Sequence, residues 1–499
     1  MILLKNRNFR ILILVELLLL VVGTIYIFYF PDFDTDSYAH FCISRQIYSG
    51  TSNLNIHWVW LPLFHYFEVC TIALGLSFQV LRFINLFITA FIPIILFNFI
   101  SQREDREQPY SEALIISIIC ALFPILMLMG TSAQPEPLFC IFTLLFTISF
   151  VKKKYFVASI YLTILVLLRY EAWVIPFVII FIVIVKLFFK KFEVFKTDKS
   201  LWKPVFSIAL PIIAMIIWVI ARKESEGVWF GFIYGTKVFA NDVLKSTSSF
   251  DSGILQFIYD VFYYPIIVPY FLAGPIVIIA LFGIKRTIKK INPFFSLVYA
   301  AILLFLTITW INKSSLGLHR HFMVMVPFYS ILLVNGIPYF SKIFLKLVSK
   351  INRLKIYDEV RENRLTVIKK YVSLILIASQ VIVTSIWIAG WLGYSSNLFT
   401  ERFQTADFIK SLPPDKIIFC DEAAVEVLSS LDMKRFNRKW LENEDAFELI
   451  VNTVKEKGEI YVVTWEKKIN LYRSLGEIMF TSSPDYNTKQ KLQVLKINK

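Results

Sequence analysis

Three aspartates alternate with other residues in FPDFDTDSYAH (residues 30–40), directly after a run of about twenty apolar residues. Asp34 and Asp36 are followed on the same stretch by His40 and Arg45, then by His57 and His65. Another acid, Glu136, lies between two prolines in TSAQPEP (131–137). Arg169 and Glu171 share LRYEAW (168–173), and His319, Arg320 and His321 share LHRHF (318–322). Carboxylates can serve as general bases or bind hard cations, whereas Arg and His suit a phosphate. Each group borders an apolar run. An ionisable side chain at the edge of hydrocarbon costs kilocalories unless it is solvated, paired or used. Four segments that bring such groups to one depth therefore carry more weight than any one of them. Taken singly, each has a plainer reading. Asp32, after Pro31, reads as a loop or cap residue, and Asp36 can cap the helix that DSYAHFCISRQIY predicts. Arg169 and Glu171 can pair at a helix end. His57 and His65 read as packed interfacial residues, and Trp58 and Trp60 as interfacial anchors.

The elements that must hold these groups are membrane spans. Of 499 residues, 57% are hydrophobic and 18% charged, with a mean hydropathy of +0.63. A soluble chain of this length exposes more charge, so the surplus apolar surface faces lipid. The first run, 11–30, follows Lys5, Arg7 and Arg10, but no small-residue cleavage site succeeds it, so it reads as a retained span. Further runs lie near 79–100, 112–130, 137–151, 155–170, 172–189, 204–221, 262–284, 294–311, 322–340 and 371–394. That makes about 11 transmembrane helices. With the N-terminus in the cytoplasm, the inner segments hold 27 Lys and Arg and the outer loops about eight. This is the positive-inside asymmetry. The net charge of +15 is thus topological, and nucleic acid is excluded as a partner. The same orientation puts the aspartates on the outer face. The five cysteines are scattered and form neither a disulfide framework nor a metal motif.

Residues 58–78 are apolar enough to count as a span, but counting them would turn every later basic run outward. Pro62, His65 and Glu68 lie in their first half, so they read as a membrane-hugging or re-entrant helix in a first outer loop over 31–78. From about Ser395 the pattern changes. KIIFCD (416–421), EIYVVTW (459–465) and KLQVLKI (491–497) read as strands, and 423–431 and 445–458 as helices. The chain thus divides into a membrane domain, 1–394, and a small α/β domain, 395–499, on the outer face.

The stretch DFDTDSYAHFCISRQIYSG resembles the first outer loop of GT-C fold glycosyltransferases, which use polyprenyl-phosphate-linked sugars. WLPLFHYF is similar to the Pro-Leu-aromatic stretch that follows in the protein mannosyltransferase and aminoarabinose transferase branches. TSAQPEPLFCIFTLLF resembles the second outer loop, and LRYEAW and HRHFMVMVPFYSILL resemble later elements. The likeness runs in order through residues 1 to 395. The W-W-D-Y-G motif of the oligosaccharyltransferase branch is absent, which favours transfer of a single sugar. The resemblance implies a GT-C fold and an inverting transfer from a membrane-lipid donor, a polyprenyl-phosphate-linked hexose such as mannose, to a protein, lipid or glycan acceptor. It implies Asp34 as the base, with Asp36 the alternative, and Glu136 orienting the acceptor, the sugar or a metal. Arg320 would hold the donor phosphate, assisted by His319 or His321. Asp34, Asp36 and Glu136 could hold Mg²⁺ or Mn²⁺, although family members using lipid monophosphates often work without one, so no cofactor is assigned. A transporter or flippase is the rival reading, but its polar groups belong near the midplane of the membrane.

Overall fold

The structure is a computed structural model and describes residues 6–50, 53–102, 109–188, 202–244, 253–351, 358–395, 399–437, 444–485 and 488–499. Of the basic residues that argue orientation, Lys5, Arg103, Arg106, Lys190, Lys191, Lys196, Lys199, Arg353 and Lys355 lie outside the described residues.

Apolar composition and helix ends build the first span. In α1 (Arg7–Tyr29) the Asn6 side chain accepts from the backbone N–H of Asn8 (2.9 Å) and Phe9 (3.3 Å), capping the helix. Its 23 residues reach about 34 Å, enough for a hydrocarbon core of about 30 Å. The helix stops before Pro31, with Phe30 already extended at φ −127°, ψ 143°. After the aspartate stretch come α2 (Thr35–Tyr48), α3 (Leu63–Ala73) and the long span α4 (Phe78–Ser101). At 11 residues α3 is about 16 Å long, too short to cross. Its His65 and Glu68 are fully buried, so its polar side is turned into the protein.

Among the described residues seven helices are long and apolar enough to span, and Tyr110–Ala121 with Pro124–Gly130 makes a further pair bent by 58°. Three shorter apolar helices, Glu136–Val151, Tyr155–Leu168 and Tyr170–Val185, complete the eleven apolar runs of the sequence. Backbones meet where side chains vanish. A Cβ on Gly283 would stand 1.9 Å from the Leu332 carbonyl oxygen, and one on Gly336 2.0 Å from that of Ile279. Helices Val277–Lys290 and Val326–Ile351 therefore cross on glycine.

Beyond the last span lies a five-stranded sheet in the order β2-β1-β3-β5-β4. Its strands are β1 (Ile417–Cys420), β2 (Phe436–Asn437), β3 (Glu459–Trp465), β4 (Gly476–Pro484) and β5 (Lys491–Asn498). β1 pairs with β2 and β3 in parallel, and β5 pairs with β3 and β4 antiparallel. β1, β3 and β5 match the apolar runs, and the sequence pattern does not reveal β2 or β4. The helices Ala423–Ser429 and Glu444–Lys457 bear out the two helical readings. This unit is fastened to α2: Arg45 pairs with Glu426 (3.4 Å) and donates to the Leu431 carbonyl (3.0 Å). Tyr38, Phe41 and Cys42 pack with Phe399, Ala423 and Ala424.

Candidate active site

The aspartate stretch is held by two buried charges. Asp32 is wholly buried, with Oδ1 accepting from Ser132 Oγ (2.8 Å) and Oδ2 from the Ala133 N–H (2.7 Å). It is thus a clamp between the first and second loops, and its Oδ1 also accepts from the Asp34 N–H at 3.2 Å, in keeping with its reading as a loop or cap residue. Arg82, at the start of α4, is equally buried and donates to the carbonyls of Thr131 (2.7 Å) and Phe30 (2.9 Å). Sequence reasoning missed Arg82, because a lone Arg in an apolar run carries no mark of the carbonyls it serves.

With the backbone pinned, the carboxylates are placed by helix geometry. The N-cap of α2 is Asp34, not Asp36: Asp34 Oδ1 accepts from the Asp36 N–H at 3.0 Å. Asp36 sits in the first turn, where the helix dipole favours negative charge. Opposite them Arg320 stands on the 3-10 segment His319–Met325, about two turns long, that leads into the helix Val326–Ile351. Its guanidinium hydrogen-bonds both Asp34 and Asp36, and its Nε lies 3.5 Å from Glu136 Oε1. Arg169 closes the array, at 2.5 Å from Glu136 Oε1 and 2.8 Å from Glu171 Oε1. The ion pair read between Arg169 and Glu171 is therefore present, and it is part of a larger network.

Four carboxylates thus face two guanidinium groups, a net charge of −2 when all are ionised. Burial pushes the Asp34 carboxyl up to about 6, against the pull of Arg320 and with a further push from Asp36. Burial also raises Asp36, but the charge and hydrogen bond of Arg320, with His40 and Arg169, outweigh it and hold Asp36 below its usual value. Two adjacent carboxylates with divergent proton affinities can divide the roles of base and permanent anion. Glu136 Oε2 is buried without a hydrogen-bond partner among the described residues.

The other candidates show no hydrogen bond to this array among the described residues. His40, His65 and His57 form a buried series, with His40 Nδ1 2.8 Å from His65 Nε2 and His65 Nδ1 2.7 Å from His57 Nδ1. Burial lowers His40 to about 3 and His57 to about 4, so the rings are neutral near pH 7. Trp60 packs on His40 at 4.3 Å between ring centres, and Ser44 donates to Glu68 at 2.5 Å. The series joins α2 to α3 under the carboxylates. His319 packs between Tyr263 and Phe271, and His321 lies within electrostatic range of Arg169 and Arg320.

Asp34, Asp36 and Glu136 do not fit a divalent cation as they stand. One oxygen of each is engaged by Arg320 or Arg169, and no group of three or more His, Cys, Asp or Glu converges in metal-binding geometry among the described residues.

No protein-family model and no curated relative matches this sequence. Solved structures do. ArnT from Cupriavidus metallidurans bound to undecaprenyl phosphate is similar at a TM-score of 0.55 and 11% identity, over 97% of both chains. Its apo state gives 0.54 and 10%, over 96% of this chain and 97% of that one. The oligosaccharyltransferase of Archaeoglobus fulgidus, in complex with Zn and sulfate, gives 0.51 and 12%, over 94% of this chain and 72% of that one. Near-complete coverage of both ArnT chains extends through the span bundle and the sheet alike, and the fold of this chain is the GT-C fold.

Proposed function

We propose that this chain is an integral-membrane inverting glycosyltransferase. It moves a single sugar, a hexose such as mannose, from a polyprenyl-phosphate donor to a protein, lipid or glycan acceptor on the outer face. The observation that carries the reading is the bridge from Arg320 to Asp34 and Asp36, with Glu136 beside it. A guanidinium, a group suited to phosphate, beside a carboxylate raised to about 6 supports the pairing of a leaving-group cation with a base. The GT-C fold, shared with a structure that contains undecaprenyl phosphate, supports a lipid-borne donor. Residues 1–394 are the membrane catalytic domain, and 395–499 an extracytoplasmic domain that meets the acceptor.

The chemistry follows from these placements. Asp34 takes the proton of the acceptor hydroxyl as its oxygen attacks the anomeric carbon. The bond from that carbon to the phosphate oxygen breaks, its electron pair leaves on the phosphate, and Arg320 holds the charge that accumulates there. Glu136 Oε2 takes a hydroxyl of the sugar or acceptor. No step is assigned to a metal ion, because guanidinium supplies the positive charge. Transfer from a radiolabelled polyprenyl-phosphate hexose in nanodiscs tests the reading. Product should form, and activity should survive EDTA. Loss on EDTA that Mn²⁺ restores refutes the metal-free assignment, and facilitated movement of the intact donor without transfer points to a flippase.

A further inference from the structure

A cavity of about 610 Å³ opens beside Asp34, between the aspartate stretch, the end of the last span and the sheet unit. This volume falls within the range of roughly 300–1,000 Å³ typical of small-molecule sites. Its apolar walls are aromatic: Phe33, Trp391, Tyr394, Phe399 and Trp465. Trp391 and Tyr394 stack at 5.3 Å between ring centres, and Phe33 meets Trp391 edge-on at 4.7 Å. Polar groups interrupt these walls, namely Asp34, Arg402, Asp485 and Gln490.

Arg402 decides the charge of the ligand. It pairs with Glu401, with Glu422 (3.1 Å) and with Asp485 (3.5 Å), and lies over the rings of Phe399 (4.5 Å) and Trp465 (5.1 Å). These partners make it a brace of the wall, and Asp34 and Asp485 on the lining, with Glu401 and Glu422 behind it, leave the cavity with a surplus of negative charge. Trp465 is held in turn, its Nε1 donating to Glu422 at 3.2 Å. Trp391 Nε1 is a buried donor with no partner among the described residues. The cavity therefore offers fixed flat apolar faces edged by hydrogen-bonding groups, in a field that repels negative charge. Pyranose rings have the matching form, with C–H faces for the aromatics and hydroxyl edges for the carboxylates, the amide and the indole N–H.

Donor and acceptor can be told apart by which charged group each touches. In an inverting displacement the base and the leaving group lie on opposite faces of the anomeric carbon. Asp34 lines the cavity, whereas Arg320, Arg169 and Glu136 are not among its described lining residues. A ligand here meets the base along a wall that Arg320 does not line, which is the position of the acceptor.

We infer that this cavity is the acceptor subsite, and that the acceptor is a neutral saccharide held between aromatic walls from the last span and the sheet unit. The inference rests on the transferase reading. In the step it serves, a saccharide hydroxyl loses its proton to Asp34, its oxygen bonds to the anomeric carbon of the donor, and the phosphate departs with the electron pair of the broken bond.

The test measures binding without donor, on the full chain in nanodiscs, by calorimetry and tryptophan fluorescence. The probes are neutral mannotriose, anionic trigalacturonate and a Ser/Thr-containing hexapeptide. Mannotriose should bind at least tenfold more tightly than the other two. Trp465→Ala should weaken it at least tenfold, whereas Trp465→Phe, which keeps a ring, should retain most of the affinity. Gln490→Ala provides a second reading should Trp465→Ala lower the thermal midpoint, and it should weaken mannotriose severalfold. Preference for trigalacturonate or the peptide overturns the inference, as does mannotriose affinity unchanged in Trp465→Ala and Gln490→Ala. The two readings fail separately. Mannotriose binding without transfer from any polyprenyl donor would sink the transferase and leave the cavity a saccharide site. Transfer to a peptide that survives Trp465→Ala would sink the cavity assignment and leave the transferase.

Discussion

Replacing Asp34 by Asn tests the mechanism most directly, because the fold is expected to tolerate the change. Asn keeps the side-chain oxygen that caps α2 through the Asp36 N–H, and nearly the same volume. Burial raises the Asp34 carboxyl from 3.8 to about 6, so the folded state favours its neutral form. That contribution to stability is complete below pH 3.8 and is lost as pH rises through 6. At pH 7 the ionised side chain therefore costs the fold on the order of 3 kcal/mol, which Asn relieves. That cost is already net of the attraction of Arg320, which keeps Asp36 and Glu136 beside it in the variant. Asp34→Asn should therefore be at least as stable as wild type at pH 7. Catalysis gains no such relief, since an amide accepts no proton, and the loss should be about 10²–10⁴ in kcat. The pH profile separates a base from a structural anion. Wild-type kcat/KM should rise about tenfold per pH unit up to about pH 6 and then level, while the Asn variant should lack that limb. The assay is transfer from a polyprenyl-phosphate hexose in nanodiscs, with the thermal midpoint measured in parallel. Near-normal turnover by a stable Asp34→Asn protein would remove Asp34 as the base. Inactivity of Asp36→Asn in the same assay would then move the role two residues along.

Arg320→Ala should raise the KM for donor and lower kcat together, since the phosphate is held in the ground state and more strongly as it leaves; an unchanged donor KM would refute the assignment. Asp32→Asn should lower the thermal midpoint, because one oxygen that accepts from Ser132 or Ala133 becomes a donor, a loss of about 1–3 kcal/mol. A midpoint equal to wild type would return Asp32 to the role of a plain loop residue. For orientation, Cys70→Ser removes the exposed cysteine, after which Asn470→Cys should react with an impermeant thiol reagent in intact cells and Lys289→Cys only after lysis. The reverse pattern would invert the topology.

How legible the chain is depends on whether a feature is local. Spans are runs, and each of the eleven apolar runs contains a helix. The strand readings succeed where both faces are buried, as in the IYVVT core of β3. They fail for β4, an edge strand that is mostly exposed, with Thr-Ser-Ser in its second half. The candidate site is legible to the extent that charge beside an apolar run is unusual, which picks out Asp34, Asp36, Glu136, Arg169 and Arg320. What sequence cannot reveal is partnership at long range. Asp32 and Asp34 look alike in DFD, yet one is consumed by Ser132 and Ala133, a hundred residues away, while the other faces Arg320. Arg82 and Arg402 answer to carbonyls, carboxylates and rings brought together only by folding.

Helix length explains why these charges can meet where they do. At about 1.5 Å per residue, Glu136–Val151 and Tyr155–Leu168 reach only about 21–24 Å, well short of a hydrocarbon core of about 30 Å. Glu136 opens the first of these helices, and Arg169 ends the second with Glu171 just beyond it. The polar array therefore forms at the ends of two short apolar helices. Burial there removes water from ionised groups, and desolvation of this kind lifts Asp34 toward neutrality. Unpaired, four carboxylates could not remain ionised there, so Arg320 and Arg169 are as necessary to the fold as to any phosphate.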